Sequence, residues 1–239
     1  MNINKKMIEK LGKVIEGFSE DMTLQTNTDE LLSRQMERSQ IALIEFSIPK
    51  SKITSYDGKD SLIYTVKLKN FNQVLSKIKD KEVSLELGDN IKISGSKTKA
   101  TLSRVMDGSP LSKTMTLQHQ VVFEIKKEEF LDAIEQVSIF SPHAKMILDD
   151  TFIIAGDGDG GEGVEVNTLT VLTSLNEKPK KPLVYAVNYI GDFLRNLDKE
   201  TVVKVSLGEQ GERPLPIKLE GKVEGVDVRF FLAPRMETD

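Results

Sequence analysis

"NFNQVLSKIKDKEVSLELG" (residues 70–88) and "NYIGDFLRNLDKETVVKVSLG" (residues 188–208) carry one pattern twice. Both open on Asn and an aromatic, continue through an apolar helix face, reach the tripeptide Asp-Lys-Glu and close with a strand ending in Leu-Gly. Only a two-residue insertion separates them. Chance explains a recurring tripeptide far more easily than it explains the whole patterned stretch. Each copy is preceded by another helix and several strands, so the chain reads as a duplicated helix–sheet–helix–sheet unit. The joining stretch "MDGSPLSKTMTLQH" (residues 106–119) mixes Gly, Pro, Ser and Thr with isolated Leu111, Met115 and Leu117, as an exposed connector does. The expected organisation is a first domain over 1–105, a connecting loop over 106–119 and a second domain over 120–239.

Across the chain, helical periodicity occurs four times, each for about three turns. Met7, Ile8, Leu11, Val14, Ile15 and Phe18 mark the first helix over residues 4–18. Phe71, Val74, Leu75 and Ile78 mark the second over 70–79. Phe130, Leu131, Ile134 and Val137 mark a third opened by Lys126 and Lys127, and Tyr189, Phe193, Leu194 and Leu197 mark a fourth over 188–197. Strand signals cover 41–48, 62–68, 83–87, 91–93, 121–125, 164–172, 202–207 and 226–232, separated by turn clusters at 55–58, 88–90 and 209–212. The class is α+β with antiparallel sheet.

The chain has 239 residues, 38% hydrophobic and 29% charged, enough to bury a core in two modest domains. It contains no cysteine, which excludes disulfides, thiolate zinc sites and a cysteine nucleophile. No apolar run approaches the roughly 20 residues of a membrane span, and the N-terminus lacks a signal core, so an intracellular protein with no membrane partner is expected. The net charge of −4 argues mildly against nucleic-acid binding unless the lysines gather on one surface.

"AGDGDGGEGVEV" (residues 155–166) tests three readings. A dinucleotide loop needs its glycines to open a helix, but an alternating strand comes after Gly163. A calcium loop counted from Asp157 puts Gly161 fifth and Glu162 sixth, the wrong way round for ligand and turn. Strand, glycine turn, strand remains. Catalytic signals are equally poor. His119 and His143 head no metal-ligand spacing, "SGSKT" (residues 94–98) lacks the upstream glycine of a phosphate loop, and no G-x-S-x-G elbow occurs. Neither an enzyme, a cofactor nor a metal site is expected.

The ending "FFLAPRMETD" (residues 230–239) closely resembles that of the proliferating cell nuclear antigen (PCNA) family, the DNA sliding clamps of archaea and eukaryotes. "RQMERSQIALIEFSIP" (34–49) and "LPIKLEGKV" (215–223) resemble two further family segments, and with the repeat the likeness covers essentially the whole chain, in archaeal-like form. The resemblance implies two similar clamp domains joined by an interdomain connecting loop, in a ring of three subunits with helices lining the hole. It implies a processivity factor that encircles duplex DNA without sequence preference. Such a clamp tethers DNA polymerase, the clamp loader, flap endonuclease and ligase through PIP-box peptides. The cell compartment depends on the source: cytoplasm or nucleoid for an archaeal or viral chain, nucleus for a eukaryotic one.

Under that resemblance the DNA contacts fall on Lys5, Lys6, Lys10 and Lys13 of the first helix, Lys77 and Lys79 of the second and Arg195 of the fourth. The third helix departs from the family, offering Asp132 and Glu135 where basic residues are usual. Partner peptides are expected on Met36, Ile41, Pro216, Phe231, Leu232, Ala233 and Pro234, with Leu111 and Leu117 from the connector. Ile41 and Leu232 fit a core equally well. Subunits are expected to join through strand edges at 99–106 and 168–175. One subunit of a heterotrimeric clamp, or a clamp-shaped interaction scaffold, are the alternatives.

Overall fold

Asn4 opens the first helix, its side-chain Oδ1 accepting the Met7 N–H at 3.1 Å, and Gly17 closes it. The helix is therefore shorter at both ends than the expected 4–18. Phe18 lies beyond it but stays buried, its N–H donating to the Ile15 carbonyl at 2.8 Å. In the computed structural model, residues 1–56, 62–105, 115–171, 179, 181–211 and 213–235 are described. The chain divides into unit 1 (Met1–Thr114 with Lys222–Val228) and unit 2 (Met115–Gly221 with Arg229–Asp239).

Unit 1 runs β1 (Asn2–Asn4), α1 (Lys5–Glu16), β2 (Asp21–Thr26), β3 (Glu30–Met36), β4 (Ala42–Pro49), β5 (Ile53–Thr54), β6 (Leu62–Lys67), α2 (Leu68–Lys77), β7 (Glu82–Leu87), β8 (Asn90–Ser94) and β9 (Lys99–Ser103). Its strands form two antiparallel arrays, β5-β1-β7-β8-β9 and β4-β3-β2-β6. Met7, Ile8, Leu11 and Val14 of α1 and Leu68, Phe71 and Leu75 of α2 are buried, each worth about 1.5–3 kcal/mol of transfer free energy on burial.

Unit 2 runs β10 (Val121–Lys126), α3 (Lys127–Ser138), β11 (His143–Leu148), β12 (Thr151–Asp157), β13 (Gly163–Val171), β14 (Leu183–Ala186), α4 (Val187–Asn196) and β15 (Val202–Leu207). The two-residue strands β16 (Glu209–Gln210) and β17 (Arg213–Pro214) come next, then β18 (Ile217–Val223) and β19 (Val226–Leu232). Its arrays are β13-β12-β11-β14 and β10-β15-β18. Phe152 anchors the core, with ring centroids 4.7 Å from Phe123 and 5.8 Å from Phe130. Phe193 stacks on Phe230 at 5.0 Å.

The repeat extends to topology. The strand leading into each helix pairs with the strand that comes after the other helix of its unit: β1 with β7, β6 with β2, β10 with β15, β14 with β11. The four helices and the expected strands form. The glycine stretch is a strand, a short turn over Asp159–Gly161 with positive φ at Gly160 and Gly161, and a strand. β2 and β3 escaped the sequence reading because buried polar groups disguise them. Thr23 and Thr65 pair their hydroxyls at 3.1 Å between β2 and β6, and the Ser33 hydroxyl donates to the Thr23 carbonyl at 2.8 Å.

Gly156 of β12 lies against α3, where an added Cβ would meet Val137 Cγ1 at 2.6 Å and Ser141 Cβ at 3.0 Å. Gly156→Ala is expected to destabilise the chain by about 1–3 kcal/mol through overpacking, measured as a lower urea midpoint at unchanged m-value.

Candidate nucleic-acid and partner interfaces

Helical spacing sorts the lysines of α1 into two ridges beside its buried face. On one, Glu9 bridges Lys5 at 3.7 Å and Lys13 at 3.9 Å. On the other, Lys6 and Lys10 share Glu224, at 3.0 and 2.5 Å. Glu224 sits in the turn between β18 and β19 at φ +48°, with Gly225 beside it at φ +72°. Hydrogen bonds from Lys10 first, and Lys6 second, hold its carboxyl below the usual carboxylate range. Lys52 fastens the same turn, its Nζ donating to the Gly225 carbonyl at 2.5 Å. Lys77, in the last turn of α2, and Lys79 just beyond it are exposed. Sequence reasoning missed Glu224 and Lys52, which lie far from α1 along the chain and carry no local signal.

Unit 2 presents the opposite charge. Glu128, Asp132 and Glu135 of α3 are all exposed. Arg195 of α4 is held by Glu135 at 3.2 Å and Asp192 at 3.0 Å. Lys127 turns away, its Nζ donating to the Leu197 carbonyl at 2.9 Å.

The expected peptide-binding residues of unit 2 come together in part. A cavity of about 440 Å³ is lined by Met115, Leu117, His119, Val122, Lys218 and Phe231, among others. His119 Nε2–H donates to the Pro216 carbonyl at 2.8 Å, so the end of the expected connector and Pro216 are tied. Leu232 is core at 1% exposure, while Ala233 and Pro234 are half-buried. The neighbouring Arg235 N–H donates to the Val184 carbonyl at 2.8 Å. Met36, half-buried at the end of β3, and Ile41, exposed just ahead of β4, belong to unit 1. Leu111 lies outside the described residues, as do 106 and 172–175 of the expected subunit edges. The described parts of those edges are terminal strands: β9 ends its array in unit 1 and β13 ends its array in unit 2. On β13 the Leu169 side chain is 88% exposed, and its N–H donates to the Glu129 carboxylate.

Among the described residues no group of three or more His, Asp or Glu side chains could hold a metal ion, and no helix is long and apolar enough to cross a membrane.

No protein-family model matches the chain. A DNA polymerase sliding clamp of Methanococcus vannielii is 22% identical over 248 residues, covering 98% of both chains. Among solved structures, A. fulgidus PCNA, bound by the C-terminal region of FEN-1, matches with a TM-score of 0.84 at 17% identity, covering 100% of this chain and 98% of that one. The PCNA2–PCNA3 complex of Sulfolobus tokodaii matches with a TM-score of 0.77 at 20% identity, covering 99% and 100%. The fold, with its paired helix–sheet units, is that of a sliding clamp. Over its whole length the chain is similar to DNA polymerase sliding clamps of archaea, and it shares the fold of archaeal PCNA.

Burial lowers the His119 pKa, as does nearby Lys218, against the opposing pull of the Pro216 carbonyl and Glu220. The His143 pKa is lowered by burial and by Arg235. A depressed histidine pKa means that the folded chain binds fewer protons than the unfolded one. The associated stability is whole above the unfolded value of about 6.5 and is lost as pH falls below it. NMR titration is expected to place both imidazole midpoints below 6.5. His119→Gln is expected to flatten the fall in urea midpoint just below neutrality.

Proposed function

We propose that this chain is a DNA sliding clamp, a processivity factor that encircles duplex DNA and tethers DNA polymerase and other replication and repair proteins. The observation that carries the reading is that the clamp likeness runs the whole length of a chain with a terminal strand in each unit, β9 and β13. Pairing β9 of one copy with β13 of the next closes a ring and leaves neither edge open. Three copies make that ring. The connector over 106–119 joins the two clamp domains, and PIP-box peptides dock beside its end on Leu117, Pro216 and Phe231. Ala233 and Pro234 are the further proposed contacts of unit 2, Leu232 being core; Leu111 of the connector and, in unit 1, Met36 and Ile41 are proposed contacts in their own right.

DNA contact falls on Lys5, Lys6, Lys10 and Lys13, supplemented by Lys77 and Lys79. Lysine ammoniums on phosphate read no bases, which sliding requires. Arg195, already held by Glu135 and Asp192, is the weakest member of the set. This acidic α3–α4 surface favours a second reading, one subunit of a mixed clamp whose other subunits complete the positive lining. The Sulfolobus tokodaii PCNA2–PCNA3 complex has the same fold.

Size-exclusion chromatography with light scattering decides between the readings: a trimer of this chain alone supports the homotrimer, and a persistent monomer or dimer supports the mixed ring. If the chain self-assembles, Leu169→Asp is expected to lower its native mass without unfolding it, because that side chain is 88% exposed. Neutralising Lys10 and Lys13 together is expected to weaken retention on circular DNA. The log–log salt slope should fall by about 0.9 for each phosphate that is no longer neutralised.

A further inference from the structure

Three lysines from two separate segments converge on one turn. Lys6 and Lys10 reach Glu224 from α1, and Lys52 reaches the Gly225 carbonyl from the stretch after β4. We propose that Glu224 is an internal competitor for DNA phosphate, occupying Lys6 and Lys10 so that the clamp holds duplex loosely enough to slide. The proposal rests on the reading of α1 as a DNA-facing helix.

Carboxylate and phosphate are both oxyanions, and an ammonium engaged by one has fewer donors for the other. The layering suits exchange. Glu224 is 20% exposed beneath a Lys6 side chain that is 68% exposed, so an incoming phosphate meets the lysines while the carboxylate keeps its hold from below. The charge is constant, because Lys10 and Lys6 keep Glu224 ionised well below neutrality. The backbone is unusual too. A non-glycine residue at φ +48° is uncommon, and glutamate is not among the types that favour it. Lys52 pins the adjacent carbonyl, so the carboxylate is carried on a fastened turn. Glu9 links Lys5 and Lys13 more loosely, at 3.7 and 3.9 Å, within the helix itself. Glu224 differs in coming from a distant hairpin and in making the shorter ion pairs.

The test uses the full chain and a labelled linear duplex, with affinity read by fluorescence anisotropy across a sodium chloride series. Glu224→Gln keeps the size and hydrogen-bonding shape of the side chain and removes its charge. Glu224→Asn also removes the charge, with a shorter residue better suited to positive φ, so a folding defect in the first variant is separable. Both are expected to tighten binding at least about threefold at low salt and to steepen the log–log salt slope by about 0.9 per lysine released. In a Lys6→Gln/Lys10→Gln background the Glu224 substitutions are expected to change nothing. Unchanged or weaker binding in both Glu224 variants overturns the proposal, and so does an equal gain in the double-lysine background, which reduces the effect to net charge. If the double-lysine variant weakens binding while the Glu224 variants do not tighten it, the DNA-facing reading of α1 stands and Glu224 as competitor falls. If the double-lysine variant binds as the wild type does, both fall.

Discussion

Each of the four helices starts directly out of a β-strand, and the fold depends on how its first backbone N–H is satisfied. α1 alone has a side-chain cap, from Asn4; the residues before the other three helices make no side-chain cap bond. A backbone bond serves at each start instead. Lys5 N–H donates to Lys81, Leu68 to Glu20, Lys127 to Thr201 and Val187 to Pro142, at 2.9, 2.9, 3.0 and 3.1 Å. In all four cases the acceptor immediately precedes the strand that pairs with the strand leading into that helix. One ladder thus aligns two strands and launches a helix. A buried N–H left unpaired there would be costly, so register and helix start are fixed together.

The polar interior has its origin in the same geometry. Strands in two-layer units expose one face to the helices, and small hydroxyl residues pack there only when they find partners. Thr23, Thr65 and Ser33 do so, making a buried polar seam between β2, β3 and β6. Arg34 and Glu45 form a second, 2.7 Å apart and nearly buried between β3 and β4. Both seams specify strand pairing more than they add net stability, since burying polar groups costs much of what their bonds return.

Charge distinguishes the two units that topology makes alike. α1 carries Lys5, Lys6, Lys10 and Lys13, whereas α3 carries Glu128, Glu129, Asp132 and Glu135. In unit 1 the lysines outnumber the acids that bridge them, and in unit 2 the acids outnumber Arg195. The two units share one strand-and-helix pattern, while their surface residues, free of packing constraints, differ.

The four helices and the repeat were legible because apolar spacing at three and four residues, and a recurring Asp-Lys-Glu, survive on single stretches of chain. So was the glycine turn, since the residues after Gly163 alternate as a strand. The lysines of α1 were visible as well, four on one short helix. β2 and β3 were not, because Thr23 and Ser33 look like loop residues until their partners are known. Burial of Leu232, the joining of Leu117 with Phe231 around one cavity, and the grip of Glu224 on Lys6 and Lys10 were decided only by the tertiary structure. Local periodicity records which face of an element is buried. Which distant carboxylate meets a lysine depends on where the chain returns, and no neighbouring residue encodes that.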